Sequence, residues 1–351
     1  MTPQVQAALA AMKSTDLYAL ARARALLTVY DEVWSATFAQ YKILEAEVEF
    51  QFPLLNPETE SASRTFDEAG KIDALAEHKA TGSLVVFEHK TSSEDIAPDS
   101  KFWDRVRLNS QISKYHLAAM RMGKSVRGII YDVIGKPAHR PCQIPTLDAQ
   151  GFKIVLDPQG NRVFTKDGKK PRETGDTEKG WVVQGRLETP EEFETRLLTV
   201  LRAEPGSYFA QREVPRLDSD ILQFMVNDWN YGQQILYFRK MNNWPQNDDA
   251  CAQFGNCEML DLCCGRASVD GIRYGKREKV HAELKVQSGD SGKELLTNSR
   301  VRTLRRCARL HFLKYEQGVE RIGEESEALS FGTLVHVGLE SYFLKLKEVA
   351  R

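Results

Sequence analysis

The stretches Gly70-Lys71-Ile72-Asp73 and Phe87-Glu88-His89-Lys90 decide the fold of this chain. The second stretch ends an apolar run that predicts a β-strand, and side chains on a strand alternate between its two faces. Glu88 and Lys90 therefore point the same way, while the residue between them points into the other layer. Asp73 ends an earlier apolar run that can pair beside this strand. Two carboxylates can hold a divalent ion that activates water and polarises a phosphodiester, with a lysine beside the reacting phosphate.

Two further positions have spacings that suit the same site. Gln111 and Tyr115 lie one turn apart on a predicted helix at about 103 to 122, so they can orient a strand or the lysine. The alternative for this pair is a capped polar patch. His336 follows Gly332 on a later helix, where a lone histidine is either a metal ligand or a packed core residue.

Six cysteines are unevenly placed along the chain. Cys251, Cys257 and Cys263 recur with five residues between neighbours, and Cys307 stands apart, so four thiolates can meet at one metal. Zinc is one candidate. Disulfides are the alternative, which the expected reducing cytoplasm disfavours, since we recognise no signal peptide and no transmembrane run. Cys264 and Cys142 are left over, and Cys264 is the substitute if Cys307 lies elsewhere.

Apolar periodicity predicts the remaining elements. Helices are expected at about 3 to 12, 16 to 40 and 216 to 241, and strands at 45–50, 69–76, 84–89 and 126–134 in a mixed sheet. Turn signals at Asp157-Pro158-Gln159-Gly160 and Lys166-Asp167-Gly168 predict a ribbon over 153–188, followed by a helix capped by Thr189.

The net charge of −1 over 351 residues excludes a global basic field, so any nucleic-acid site must be local. A helix beginning at Asn298 or Ser299 provides one. It has a buried stripe at Val301, Leu304, Ala308 and Phe312, and an opposite basic stripe at Arg302, Arg305, Arg306 and Arg309. The alternatives for the basic stripe are phosphate contact and a solvated helix face.

Together these motifs resemble the PD-(D/E)XK nuclease superfamily and, within it, the RecB/AddB-like branch that includes the CRISPR-associated RecB-like exonucleases. The resemblance rests on Asp73 after a Gly-x-x-Asp turn, on the Glu88-x-Lys90 pair, on the Gln-x3-Tyr helix and on the cysteines. It implies an α/β fold with a restriction-endonuclease-like core: a mixed central sheet flanked by helices, with an iron-sulfur subdomain.

The same resemblance assigns roles to residues. Asp73, Glu88 and His336 would bind Mg²⁺ or Mn²⁺ together with the carbonyl after Glu88, and Lys90 would assist the reaction. Gln111 and Tyr115 would position DNA. Cys307 corresponds to the lone distant cysteine of this branch, so it would complete a [4Fe-4S] cluster with Cys251, Cys257 and Cys263.

The order of the motifs differs from that of the family, whose arginine-cysteine helix and Gly-x3-His helix stand at the N-terminus. We infer a circular permutation; the alternative is a tandem or swapped copy. The predicted organisation is a nuclease core at 1–287 with an inserted ribbon (about 150–188) and a cysteine cluster (251–264), a linker at 288–294, and a permuted segment of the same domain at 295–351. The ends of the chain are expected to lie close together.

The function expected from the sequence is a metal-dependent DNA exonuclease that hydrolyses phosphodiester bonds in single strands or at DNA ends. Recombination with a partner protein, phage replication and repair are the candidate settings, without a membrane. The alternative is a non-catalytic iron-sulfur DNA-binding subunit of a nuclease complex.

Overall fold

The computed structural model describes residues 1–166, 168–253, 256–269, 271–282, 284–289, 292–323 and 327–349. Its architecture is mixed α/β, with a central, mostly antiparallel sheet flanked by helices, in agreement with the predicted class. Within these ranges no helix is long and apolar enough to cross a membrane.

The strands of the described residues are β1 (Tyr41–Leu55), β2 (Ala62–His78), β3 (Leu84–Ser92), β4 (Val126–Gly135), β5 (Gln143–Pro145), β6 (Val155–Leu156), β7 (Val182–Val183), β8 (Gly185–Leu187), β9 (Phe209–Val214), β10 (Tyr274–Lys276), β11 (Glu294–Leu296) and β12 (Val319–Arg321).

The α-helices of the same residues are α1 (Pro3–Ala11), α2 (Leu17–Phe38), α3 (Lys101–Arg107), α4 (Ser110–Arg121), α5 (Pro190–Ala203), α6 (Asp218–Met241), α7 (Leu260–Cys263), α8 (Asn298–Arg306), α9 (Ala308–His311) and α10 (Glu327–Val349). A π-helical turn follows α9 at Phe312–Glu316.

The central sheet has the strand order β1-β2-β3-β4-β9. β2 is long enough to take two partners along one edge: β11 pairs in parallel with Phe66–Glu68, and β3 pairs antiparallel with Ala74–Glu77. β3 and β4 are parallel and are joined by the crossover through α3 and α4. The sheet is therefore mixed, as the sequence predicts.

Each face of the sheet has its own apolar core. α1, α2, α5 and α10 cover one face, and α3 and α4 cover the other. Along β3 the side chains alternate, since Phe87 belongs to the first core and Val86 to the second. His89 faces α10, where its ring centroid lies 4.4 Å from that of Phe343. The predicted division of β3 into two faces is confirmed.

The Gly-x-x-Asp turn is wrong as a prediction. Gly70 lies within β2 and pairs with Phe50 of β1, whose ring packs over it. A Cβ atom at Gly70 would stand 2.6 Å from Cζ of Phe50. Glycine is needed here because an aromatic ring crosses the backbone closely, and no turn is formed.

The single helix predicted at about 103 to 122 is divided in two. α3 ends at Arg107, and Asn109 then caps α4 by accepting the amide of Gln111 at 2.9 Å. The apolar spacing continues through the break, which is why it does not reveal the interruption. Leu108 forms the corner between the two helices.

The basic helix also differs from its prediction. Its N-cap is Thr297, not Asn298 or Ser299, since the Thr297 hydroxyl accepts the amide of Arg300 at 3.2 Å. The helix stops at Cys307, whose backbone is extended (φ −166°, ψ 123°).

The predicted apolar stripe of this segment nevertheless survives the break. Val301, Leu304 and Ala308 are buried, and Phe312 is half-buried.

The inserted ribbon is present as paired short strands, β5 with β8 and β6 with β7. Asp148 and Asp157 each close a turn by accepting the amide two residues later at 2.9 Å. Thr189 caps α5 in a capping box, as predicted. Asp167, in the second predicted turn, lies outside the described residues.

The C-terminal segment packs into the same fold. Besides the pairing of β11 with β2, α10 packs against α1 and against β1. Gly338 permits the close approach, since a Cβ there would lie 2.3 Å from Leu27 and 3.1 Å from Sδ of Met12. The buried Lys114 ammonium ties α4 to this segment by donating to the Leu296 carbonyl at 2.9 Å.

The stretch 288–294, expected as a linker, is only partly exposed. Ser288 is exposed, but Gly289 is buried against Asp67, and Glu294 already begins β11. The Lys293 ammonium lies 3.2 Å from Oδ1 of Asp67. Residues 290–291, in the middle of the expected linker, are outside the described ranges.

Candidate active site

Asp73 and Glu88 are brought together by the antiparallel pairing of β2 and β3. The register pairs Ala74 with Phe87, so the two acidic residues occupy neighbouring positions across the strands. The backbone amide of His89 donates a hydrogen bond of 2.7 Å to Oδ2 of Asp73. The Asp73 carboxylate is thereby fixed against β3.

Glu88 is fully buried. Its charge is met by an ion pair between Oε1 and the Lys90 ammonium, and the Tyr115 hydroxyl lies beside the same carboxylate. Burial raises the pKa of Glu88 to about 7; Lys90 opposes this rise, and the charge of Asp73 adds to it. A buried carboxylate whose only cationic partner among the described residues is Lys90 is well suited to bind a metal ion.

Lys90 connects this buried carboxylate with solvent. Its side chain is 33% exposed. Burial alone would lower the pKa of Lys90, but the charges of Glu88 and Asp73 outweigh it and raise the pKa. Lys90 is therefore a permanent positive charge at neutral pH.

His336 of α10 reaches the same place from the other layer of helices. Burial lowers its pKa to about 4; the charge of Asp73 opposes this and the charge of Lys90 adds to it. The imidazole is therefore neutral at physiological pH, as metal ligation requires. One turn earlier, Gly332 lets α10 approach β3, since a Cβ there would lie 3.2 Å from Oγ1 of Thr91.

Gln111 and Tyr115 meet as the one-turn spacing predicts. Nε2 of Gln111 donates to the Tyr115 hydroxyl at 2.6 Å, and Asn298 of α8 donates to Oε1 of Gln111 at 3.5 Å. Tyr115 is buried, and both burial and the charges of Glu88 and Asp73 raise the pKa of its phenol. The pair thus adjoins the carboxylates and links them to the C-terminal segment.

A buried network of side-chain hydrogen bonds lies behind β3, and no sequence pattern predicts it. The fully buried Asp132 of β4 accepts hydrogen bonds from Nδ1 of His89, at 2.7 Å, and from the Tyr30 hydroxyl of α2. His89 is the residue between Glu88 and Lys90. The network therefore fixes the segment of β3 that presents both active-site groups.

Glu47, which sequence reasoning leaves outside the site, stands close to it. Its backbone is left-handed (φ 56°), and its carboxylate contacts the Lys71 ammonium. Burial raises the pKa of Glu47 and Lys71 opposes that rise, while the charges of Asp73 and Glu340 add to it. Alternation along the strand cannot reveal this proximity, because it depends on a local backbone conformation.

A groove of about 670 Å³ opens beside Lys90, and we call it the catalytic groove. Its lining includes Phe102, Gln111, Tyr131, Asn298 and the arginines Arg302, Arg305 and Arg306. The predicted basic stripe is thus divided, because Arg309 lies elsewhere, 5.0 Å above the Phe312 ring and near Cys263.

The predicted cysteine ligands surround a separate cavity of about 310 Å³. Cys251, Cys257, Cys263 and Cys307 all line it, as does the substitute candidate Cys264. All six cysteines of the chain are free thiols.

Contacts at the cavity wall also involve the sulfur atoms. The amide of Asn247 donates to Sγ of Cys307 at 3.4 Å, and the Cys251 thiol lies 3.6 Å from the Asn247 carbonyl. Burial raises the pKa of Cys251, and the neighbouring thiols of Cys257 and Cys307 add to it.

Neither set of side chains is closed around a metal position. Across the described ranges, no group of three or more His, Cys, Asp or Glu side chains stands ready to hold a metal ion. The donor types nevertheless fit: carboxylates and a neutral imidazole suit Mg²⁺ or Mn²⁺, and thiolates suit iron or zinc.

Residues 296–351 match the family model of the PD-(D/E)XK nuclease superfamily. The match covers less than half of the chain and suggests nuclease activity; nucleases of this superfamily typically use Mg²⁺ or Mn²⁺. The matched stretch contains Cys307 and His336, whereas Asp73, Glu88 and Lys90 lie outside it and meet it in space. No curated protein matches the chain.

Proposed function

We propose that this chain is a divalent-metal-dependent DNA exonuclease of the RecB/AddB-like branch of the superfamily. The observation that carries the proposal is the pairing of Asp73 on β2 with Glu88 and Lys90 on β3, where Lys90 lines a groove that also contains arginines. The charges of Asp73 and Lys90 also act on His336 of α10. Buried charge of this kind is costly to the fold, and groups with strongly shifted pKa values cluster at functional sites.

Asp73, Glu88, His336 and the backbone carbonyl of His89 would hold Mg²⁺ or Mn²⁺. When bound, the ion supplies an activated water and neutralises charge on the phosphate. The burial of the Glu88 carboxylate and the neutral imidazole of His336 support this assignment. The side chains would have to move closer together around the ion, since the described residues do not form a closed ligand set.

Lys90 would stabilise the negative charge that develops on the scissile phosphate, because its ammonium is permanently charged and partly exposed beside Glu88. Gln111 and Tyr115 would orient the strand. Their mutual hydrogen bond and the contact with Asn298 hold both polar groups at the groove.

DNA is the proposed substrate, as a single strand or at an end. Arg302, Arg305 and Arg306 would contact successive phosphates, and Phe102 and Tyr131 in the same groove offer aromatic surface to bases. Arg309 would act near the cysteines instead, given its position by Cys263.

Cys251, Cys257, Cys263 and Cys307 would bind a [4Fe-4S] cluster, with zinc as the alternative metal. The shared cavity supports the proposal, as does the Asn247 amide directed at Cys307, a type of contact that tunes cluster sulfurs. Such a cluster would tie the end of α8 to the segment that follows α6. A brown protein that contains iron and loses its colour in Cys307→Ser is expected, whereas a colourless protein with one zinc per chain contradicts the cluster.

Circular permutation is proposed for the order of the motifs. Thr2 and Gln4 at one end of the chain and Leu346 and Val349 near the other line one cavity of about 220 Å³. Ends this close suit a permuted domain. The expected separation between Met1 and Arg351 stays a prediction, because Arg351 is outside the described residues.

The biological setting we propose is the cytoplasm, with end trimming in recombination beside a partner protein, in phage replication or in repair. These settings rest on the resemblance alone. All of them require that the protein digests DNA from an end.

The decisive experiment incubates the protein and Mn²⁺ with end-labelled single- and double-stranded DNA. Stepwise shortening from one end is expected, whereas internal fragments would indicate an endonuclease. Asp73→Ala should abolish cleavage, and Lys90→Ala should lower the rate by about 10²- to 10³-fold while DNA binding is retained. Glu58→Ala, an exposed acidic position, is the matched control.

The competing function is a non-catalytic iron-sulfur subunit that binds DNA ends. It would bind the same oligonucleotides with no metal-dependent loss of label. Equal residual cleavage by the parent protein, Asp73→Ala and Glu88→Ala would assign the activity to a contaminant and favour the binding subunit.

A further inference from the structure

The corner between α3 and α4 presents an apolar side chain to solvent on a fixed backbone. Leu108 is 85% exposed. Its amide donates to the Arg105 carbonyl at 3.1 Å, and the next amide, of Asn109, donates to the Val106 carbonyl at 3.1 Å. A single exposed leucine is ordinary on a protein surface. Leu108 is of interest because it lies between two cavities that are lined by arginines.

Leu108 stands where the catalytic groove meets a larger cavity of about 860 Å³. The larger cavity lies between α3, β9 and the start of α6, and we call it the flanking cavity. Its lining includes Trp103, Arg107, Arg212, Val214, Arg216 and Leu217. The catalytic groove and the flanking cavity therefore meet at Leu108 and at the buried Val106 beneath it.

Three arginines line the flanking cavity, and neighbouring side chains hold two of them in place. Arg212 stacks over the Trp103 ring at 4.5 Å, and Arg216 is held by the Ser113 hydroxyl at 2.8 Å. The Arg107 side chain is exposed and makes no hydrogen bond or ion pair with any residue that the structure describes.

Three carboxylates also line this cavity, and one of them is neutralised by an ion pair. Glu213 pairs with Arg127, with Nε to Oε1 at 2.7 Å, and Asp220 caps α6 by accepting the Leu217 amide at 2.9 Å. Asp104 and Asp220 are left without an ion pair among the described residues, so the three arginines of the lining outnumber these two acids. A phosphate backbone is the ligand class that this balance favours.

We infer that the flanking cavity binds the phosphates of the strand that is not cleaved, and that Leu108 is the wedge that separates the two strands at a DNA end. The inference rests on the proposed nuclease function and adds the fate of the second strand. Apolar side chains of this size are used elsewhere to unstack base steps. The catalytic groove and the flanking cavity both contain arginines and both begin at Leu108, so each can hold one strand of a forked DNA end.

The first test measures binding without chemistry. Forked and single-stranded oligonucleotides are titrated in EDTA against the parent protein, Arg107→Gln, Arg107→Lys and the exposed control Arg64→Gln. For the fork, Arg107→Gln should reduce the slope of log K against log[salt] by about one, with Arg107→Lys restoring it and single-strand binding unchanged. An unchanged slope for the fork, or an equal loss on both ligands, overturns the second-strand site.

The second test concerns the wedge and uses Mn²⁺. The measured quantity is the ratio of blunt-duplex to single-strand cleavage, and Leu108→Ala should lower this ratio about tenfold, the size of effect that a stacking contact of about 1–3 kcal/mol supports. A fork with strands already separated should restore the rate. Leu222→Ala, at another exposed leucine on α6, is the control.

The outcomes separate this inference from the proposed function. An unchanged ratio in Leu108→Ala, or a ratio that also falls in Leu222→Ala, overturns the wedge while leaving the nuclease intact. If no cleavage occurs with any DNA, the nuclease fails, and the salt slopes in EDTA still decide whether the flanking cavity holds a second strand.

Discussion

Replacing Glu88 by glutamine should abolish cleavage and at the same time stabilise the metal-free protein at alkaline pH. The carboxylate is fully buried, and burial raises its pKa from the ordinary 4.5 to about 7. The folded state therefore favours the neutral acid. Glutamine has nearly the same shape without the charge, so it keeps the packing and removes the cost of ionisation.

The magnitude follows from proton linkage. A group whose pKa is higher in the folded than in the unfolded protein loses stability as the pH rises between the two values. For Glu88 this window runs from pH 4.5 to about 7. One pKa unit corresponds to about 1.4 kcal/mol, so the full cost above pH 7 is on the order of 3 kcal/mol, with the attraction of Lys90 already included.

Urea unfolding in EDTA at pH 8 and pH 5 measures this effect. Glu88→Gln should be more stable than the parent at pH 8, and this advantage should shrink at pH 5. Mn²⁺ should raise the stability of the parent and not that of the variant, because a ligand that binds only the folded state stabilises it. Exposed Glu58→Gln is the control. A variant that is less stable than the parent at pH 8, or one that still cleaves DNA, refutes the reasoning.

Three further outcomes are expected. His336→Ala should weaken Mn²⁺ binding, measured by calorimetry, about 10- to 100-fold while DNA affinity in EDTA stays unchanged; an equal loss of both would show a packing role. Cys307→Ser should lower the melting temperature and the iron or zinc content together, and metal content equal to the parent's would place the ligand at Cys264 instead. Burial and the adjacent Arg300 lower the pKa of His311 to about 3, so stability is complete above pH 6.5 and is lost as the pH falls toward 3. Denaturant unfolding should therefore show that His311→Gln removes about 2 kcal/mol of the loss between pH 7 and pH 5, and an unchanged pH dependence would contradict the buried neutral imidazole.

The parts of the site that lie on one element or one hairpin are predictable from the sequence. Alternation along β3 places Glu88 and Lys90 together, and the Gln111–Tyr115 contact follows from helical spacing. These relations depend on fixed local geometry, so residue order is enough to define them.

Relations between distant elements are not predictable in this way. Nothing near Asp132 indicates that it accepts hydrogen bonds from His89 and Tyr30, because the three residues come from different elements. Likewise, the break at Cys307 is absent from an apolar pattern that continues through it.

The packing of α10 over the first core has a consequence for how the protein is made. This helix supplies Phe331, Leu334, Val335, Leu339, Tyr342 and Phe343 to a core whose other members lie mostly before residue 210. Ser92 of β3 precedes Val349 of α10 by about 260 residues, which at roughly 5–20 residues per second is roughly 13 to 50 s of translation. During that interval α1 and α2 are already made, but the part of the sheet face that α10 covers stays open to solvent. His336 arrives with the same helix, and a ribosome-bound chain therefore carries the carboxylates for tens of seconds before it acquires the histidine.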